Sequence, residues 1–547
     1  MDNVASRPQP GLAPTAVSNE SSTLLEVLVP QLWQRLDSWD FRALRICSRE
    51  VLRLADRCTD TLKLKCASSE AERDGVVAAL CRMLARGCRP RKLGLWFFRA
   101  ELPATKIAFG LRLLAELQAS SLPLTKLQLG GLPLTAAVVR AIVAAVPQAS
   151  TLQLFGYSLL HCTGLPDSPR PNQDPSGVQA LLRHAAPRLQ KLRLYNTTGL
   201  AGTSMLPAAP NGLASLLLQC SRLESLRLSF PDNQEPLASY HGILSTRLCL
   251  SHLEVGGEFD LGDVLPALLG IRGLAALQLP SHQLQPSHMR QLAAFTALTL
   301  LGAQGIGAAG VPLPEGTEEL GSLPAPAPQP LVPLPALLQE LALVHAPSPS
   351  ALTALQLPPG PLRLQLPGIT VPAADKGADG CLRESAAEAL LAACRQLAGR
   401  FCEDEDECSP FELDLCGAAP PPSWPDGYGT LFAAIRPVGI RRLAIQAVSL
   451  TLYDVDALVR HLPLLERLLG LELHPERGGL VGGWDNELAL RAALLVLCAE
   501  APSLADVTIF VEEDADEPLL EAALQVVDWL SQELPTLRDD PPSVHVE

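Results

Sequence analysis

The chain has 547 residues, of which 48% are hydrophobic, 18% charged and 4% aromatic, and its formal charge at pH 7 is −15. That is too apolar for a chain disordered throughout and too acidic overall for a general nucleic-acid binder. It also holds 108 leucines, an excess that points to a repeat array rather than to separate ordinary domains.

Residues 1–20 are polar and lack an apolar core, so they read as a disordered tail and not as a secretory signal. Mean hydropathy is +0.19, yet the clean apolar stretches are short. Thr135 to Val146 is broken by Arg140, and Val264 to Leu279 by Arg272. A bilayer span needs roughly 20 apolar residues, so no membrane association is expected and the apolar excess must be buried in protein. The 14 cysteines are spread along the chain. They read as reduced thiols of a cytoplasmic protein, with the nucleus, cytoskeleton or cilium as alternative locations.

Residues 21–60 differ in pattern from the rest of the chain. Leu28, Leu32 and Leu36 fall at helical spacing. Asp37 and Ser38 offer a helix start, and Phe41, Leu44 and Ile46 open a second helix, basic and apolar, that runs to Leu54. This segment resembles an F-box, and Asp40 to Asp56 carries most of the match. Phe41 stands for the family's leucine, Cys47 for its valine and Val51 for its tryptophan. The opening departs from the pattern. The family begins Leu-Pro with a following Glu, whereas this chain has Leu24-Leu25-Glu26-Val27, and Pro30 falls where the first helix should be continuous. The resemblance implies that Leu28, Leu32, Leu36, Phe41, Leu44 and Ile46 bind a Skp-type adaptor and, through it, a cullin. The same residues also suit a helical cap on a repeat stack, and both readings stand.

From residue 61 the pattern L-x-x-L-x-L recurs. It runs through Leu124/Leu127/Leu129, Leu189/Leu192/Leu194, Leu223/Leu226/Leu228, Leu250/Leu253/Val255 and Leu274/Leu277/Leu279. Later copies are Leu338/Leu341/Leu343, Leu352/Leu355/Leu357, Ile440/Leu443/Ile445, Leu468/Leu471/Leu473 and Leu504/Val507/Ile509. Shorter forms sit at Leu62/Leu64, Leu93/Leu95, Leu152/Leu154 and Leu413/Leu415. Between copies, segments such as Glu72–Gly87, Thr105–Ala119, Ser176–Ala186, Ser385–Arg400, Asp454–Leu462, Asn486–Ala499 and Pro518–Leu534 show the helical period. The alternation resembles leucine-rich-repeat proteins of the ribonuclease-inhibitor-like and F-box-associated kind. That resemblance implies a curved α/β solenoid, with parallel strands on the concave face, helices on the convex face and a small helical N-terminal module.

The expected organisation is repeats over 61–302, repeats interrupted by Pro, Ala and Gly over 303–380, C-terminal repeats over 381–535 and an acidic tail over 536–547. Ala303–Pro335, Pro358–Gly380 and Gly417–Gly429 read as loops or disordered inserts, because proline breaks both helices and strand ladders. The denser cysteine group, Cys381, Cys394, Cys402, Cys408 and Cys416, has no CxxC pair, so neither a metal nor any other cofactor is expected.

No phosphate loop, HExxH, GxSxG or helix-opening GxGxxG occurs, and the 10 histidines are scattered, so no enzyme is expected. Side chains alternate along a strand, so the residues beside the leucines should line the concave face. The candidates for partner contact are Lys63, Trp96, Gln128, Phe155, Arg193, Tyr195, Arg227, Glu254, Glu472 and His474. Residues 41–100 carry 14 basic and 6 acidic side chains, and residues 501–547 carry 1 and 12. The best reading is a non-catalytic protein-binding protein, an F-box-type substrate receptor of a cullin ubiquitin ligase. The alternatives are a cytoskeletal or ciliary scaffold and an enzyme-inhibitor type solenoid. A protein partner on the concave face and a monomeric state outside the complex are expected, and nucleic acid is not.

Overall fold

The structure is a computed structural model. It describes residues 56–57, 59–65, 69–97, 102–157, 175–195, 213–229, 250–257, 260–307, 331–358, 360–401, 411–448, 457, 460–461, 470–475, 487–501, 504–509, 517–538 and 541–546. The tail over 1–20 and the F-box-like positions Leu28, Leu32, Leu36, Phe41, Leu44 and Ile46 lie outside the described residues. The chain divides into two compact units, one up to Lys191 and one from Leu192.

In the first unit, strands alternate with helices. The strands are β1 (Thr61–Lys65), β2 (Lys92–Trp96), β3 (Lys126–Gly130) and β4 (Thr151–Phe155), and β5 (Lys191–Tyr195) begins at its last residue. The helices are α1 (Glu70–Ala85), α2 (Pro103–Ala119), α3 (Ala136–Ala145) and α4 (Pro175–Ala185). The L-x-L motif explains the strands. Leu62, Leu93, Leu127 and Leu152 stand in one row across β1–β4, and Leu64, Leu95, Leu129 and Leu154 in the next, all buried. A one-residue slip would turn both rows out to water. Each leucine taken from water contributes roughly 1.5–3 kcal/mol, so the parallel, in-register pairing is strongly specified.

The helices start where local chemistry permits. Ser69 and Glu72 form a reciprocal capping box on α1, with both backbone-to-side-chain bonds at 3.2 Å. Pro103 occupies the first turn of α2, where its missing N–H costs nothing. Thr135 Oγ1 accepts the N–H of Val138 to cap α3. The buried faces are Val77, Leu80 and Leu84 on α1 and Phe109, Leu113, Leu114 and Leu117 on α2. These side chains close the leucine rows from the helix side.

The second unit continues with α5 (Leu213–Leu218), β6 (Ser225–Ser229), β7 (His252–Gly256), α6 (Leu261–Leu268), β8 (Ala276–Leu284), α7 (Pro286–Leu292) and β9 (Leu300–Ile306). Then come β10 (Val332–Pro333), β11 (Glu340–Leu343), α8 (Pro349–Thr353), β12 (Leu355–Gln356), β13 (Arg363–Gln365) and β14 (Gly368–Thr370). The last elements are α9 (Glu384–Leu397), β15 (Phe411–Asp414), α10 (Tyr428–Ile435), β16 (Arg442–Val448), β17 (Gly470–Pro475), α11 (Glu487–Glu500), β18 (Asp506–Ile509), α12 (Glu517–Leu537) and β19 (Ser543–Val546). Within the first unit β1–β4 pair in chain order, all parallel, and within the second β6–β9, β11 and β13 pair in that order, also parallel. A six-stranded sheet runs β14 to β19 in chain order, also parallel, and β10 pairs with β12.

Several segments differ from their sequence reading. Leu352/Leu355/Leu357 is not a rung of the main sheet. Ser348 caps a helix that opens at Pro349, so Leu352 is buried from α8 and only Leu355–Gln356 is extended. The next rung is β13, with Leu362 and Leu364 buried, inside the segment Pro358–Gly380 read as a loop. That segment also holds β14, and a Cβ on Gly368 would fall 1.9 Å from the carbonyl oxygen of Glu412, so this close pairing with β15 requires glycine. Residues 536–547, read as an acidic tail, contribute β19, which pairs with β18 and buries Val544.

Candidate interaction surface

The in-register ladder sets the outward side chains in rows as strictly as the leucines. In the first unit, Lys63, Gly94, Gln128 and Gln153 form one row, and Lys65, Trp96, Gly130 and Phe155 the next. Gly94 and Gly130 make room for an aromatic shelf. A Cβ on Gly130 would lie 2.6 Å from Cε3 of Trp96, so the indole rests on bare backbone there. Its far side meets Phe155, with ring centroids 4.6 Å apart and planes inclined at 50°, close enough for the two rings to attract one another. Both rings are half-buried. Beside them the Gln128 amide donates to Oε1 of Gln153, which is buried. Lys63 and Lys65 are exposed, and Lys92 pairs with Asp60 at 2.7 Å.

A second cluster lies within the second unit. Arg193 Nη1 donates to the Tyr195 hydroxyl at 3.5 Å, and the guanidinium of Arg227 lies 4.9 Å from the centre of the Tyr195 ring. The same guanidinium pairs with Glu254, Nε to Oε1, at 2.6 Å. All four side chains are half-buried. Burial pushes the Glu254 carboxyl above its ordinary value, because desolvation outweighs the opposing pull of Arg227 and Arg193. Charge, ring and hydroxyl are therefore held in a fixed arrangement on one patch of strand surface.

In the six-stranded sheet, Glu472 stands in register with Ala444 and Thr508, and His474 with Gln446. Outward positions of neighbouring strands carry Glu412, Asp414 and Asp506. The candidate residues thus fall into three groups. Lys63, Trp96, Gln128 and Phe155 share the rows of β1–β4, Arg193, Tyr195, Arg227 and Glu254 form the second cluster, and Glu472 and His474 share β17. Gly94 and Gly130 escaped notice in the sequence, although a glycine at the x of Leu93-Gly94-Leu95 was a visible signal.

Among the described residues, no three His, Cys, Asp or Glu side chains gather as a metal site would require. Cys394 and Cys498 are buried thiols, each pushed up to about 12 by desolvation. No helix among the described residues is long and apolar enough to cross a membrane.

No protein-family model matches the chain, and no curated protein matches it. Among solved structures, the chain is similar to a chain of the Rad7 and Elc1 complex from yeast, at 13% identity and TM-score 0.31, over 92% of this chain and 97% of that one. It is also similar to an internalin, inlF, from Listeria monocytogenes, at 11% identity and TM-score 0.31, over 87% of this chain and 94% of the other.

Proposed function

We propose that this chain is a non-catalytic protein-interaction protein, and specifically an F-box-type substrate receptor of a cullin ubiquitin ligase. Its leucine-rich array would be a solenoid that presents the strand face to a substrate protein, while residues 24–56 engage a Skp-type adaptor. The observation that carries the binding part is the pair of organised rows, Trp96 on Phe155 and Arg227 between Tyr195 and Glu254. Aromatic and arginine side chains held in place by their neighbours lose little entropy when a partner arrives, which is what interface anchors need. The adaptor part rests on the F-box resemblance of Asp40 to Asp56. Ubiquitin transfer would be performed by other subunits, which fits a cytoplasmic or nuclear location.

A second reading, a structural scaffold whose N-terminal helices only cap the stack, has one observation in its favour. A slot of about 340 Å³ opens beside β1 and α1, lined by Leu64, Val76, Leu80 and Met83 among others, and a capping helix could fill it. Affinity capture separates the two. The full chain and its Leu32→Asp/Leu36→Asp variant are expressed and probed for the adaptor and the cullin. Adaptor with the wild type and none with the variant supports the receptor. No adaptor with the wild type refutes it and leaves the scaffold.

A further inference from the structure

The outward positions of β1–β4 carry four lysines, Lys63, Lys65, Lys92 and Lys126, and no carboxylate. Asp60 pairs with Lys92. Among the described residues, no carboxylate pairs with Lys63 or Lys65, although both are exposed. Two uncompensated cations thus stand within the same two rows as the Trp96–Phe155 shelf. The shelf is fixed from below by Gly130 and from the side by Phe155.

We propose that this face docks an extended acidic segment of a partner protein, which places an apolar or aromatic side chain on Trp96 and Phe155 and carboxylates beside Lys63 and Lys65. The proposal rests on the protein-binding reading above and names the partner's chemistry. Three features favour it. The flanking cations would steer an anionic chain and set its register. The pre-positioned rings supply an apolar anchor at small entropic cost. Gln128 in the adjoining row, half-buried and held by the buried Gln153, is placed to hydrogen-bond a peptide backbone.

A single-stranded nucleic acid fits less well. It needs successive ring faces on which bases stack and a longer track of cations. Here one ring is tilted at 50° against the other and its inner face lies on the sheet.

The test is selection of a random twelve-residue peptide display library on the immobilised full chain, followed by affinity measurement on the selected peptides. Enrichment of sequences with two or more Asp or Glu flanking an aromatic or large apolar residue is expected. The Lys63→Glu/Lys65→Glu variant should bind them at least about tenfold more weakly. Trp96→Ala should also weaken binding, and Arg140→Glu, on the exposed side of α3, should not. Enrichment without acidic bias, unchanged binding by the double variant, or no enriched peptide each overturns the proposal. So does tighter binding of a poly-uridine oligonucleotide than of any selected peptide. A salt-sensitive dimer abolished by the double variant would assign the face to a second copy of the chain instead. Adaptor capture is read separately, so failure of this docking site and failure of the receptor reading are distinguishable.

Discussion

Alanine at Gly130 tests the aromatic shelf directly. A Cβ there would lie 2.6 Å from Cε3 and 2.9 Å from Cζ3 of Trp96, well inside contact distance, so the indole must lift or turn. Overpacking of this kind costs about 1–3 kcal/mol, and loss of the Phe155 contact adds about 0.5–1.5 kcal/mol. Against this, alanine in a strand is favoured over glycine by about 0.5–1 kcal/mol. The net expectation for Gly130→Ala is a loss of about 1–3 kcal/mol. In a Trp96→Ala background the clash is gone, and the same change should gain about 0.5 kcal/mol. The coupling energy of the cycle is then about 1.5–3.5 kcal/mol, above the level at which independent sites depart from additivity. Native-state hydrogen exchange of the β3 and β4 amides reads this locally, without requiring the whole chain to unfold as one transition. Equal cost in both backgrounds, within about 0.5 kcal/mol, would refute the packing of Trp96 over Gly130.

The same geometry has other measurable consequences. Leu127 is fully buried, so Leu127→Ala should destabilise the first unit by roughly 2–5 kcal/mol, whereas Lys63→Glu on the outward row should stay within about 0.5 kcal/mol. Urea unfolding compares them, and similar losses would contradict the assignment of inward and outward rows. For Glu254 the folded pKa is raised above its unfolded value, so the folded protein holds the extra proton in the window just above the usual carboxylate range. Its contribution to stability is therefore present at lower pH and lost as pH rises through the folded pKa. The stability difference between wild type and Glu254→Gln should fall with rising pH across that window, and a difference that is flat or rises would refute the desolvation argument. Cys394 and Cys498, both pushed up to about 12, should resist brief alkylation at pH 8 in the native state. Half-exposed Cys381 should be labelled first; peptide mapping that finds all three modified together would count against their burial.

Much of the fold was legible because its signal is local. Leu93-Gly94-Leu95 or Leu127-Gln128-Leu129 commits a strand to bury alternate residues, and the pattern survives in any context that offers a core. The helices are read as easily, since Val77, Leu80 and Leu84 recur at three and four. Rungs whose leucines give way to other residues were harder to see. In β9 the second position is Ala303, in β14 a lone Ile369 is flanked by glycine and threonine, and in β19 the buried Val544 follows a Pro-Pro pair and has no leucine beside it. Composition misled at Pro358–Gly380, where proline content suggested a loop and the chain pairs as β13 and β14 between the prolines. The reverse occurred at Leu352, whose spacing matched the repeat while Pro349 and Ser348 started a helix.

Leucine spacing along the chain establishes the alternation of strand and helix and which side chains turn inward, and the charge count places basic residues toward one end of the chain and acidic ones toward the other. Which outward residues meet follows only from the pairing of strands. Trp96 and Phe155 belong to different repeats with a further strand between them, and they touch because parallel register aligns Trp96, Gly130 and Phe155 while glycine leaves the middle position empty. Arg227 stands directly opposite Glu254 in the parallel register and also reaches the Tyr195 ring. Alternation along a strand is encoded in neighbours two residues apart, but adjacency across strands is set by hydrogen bonds between segments distant in sequence, and no local pattern records it.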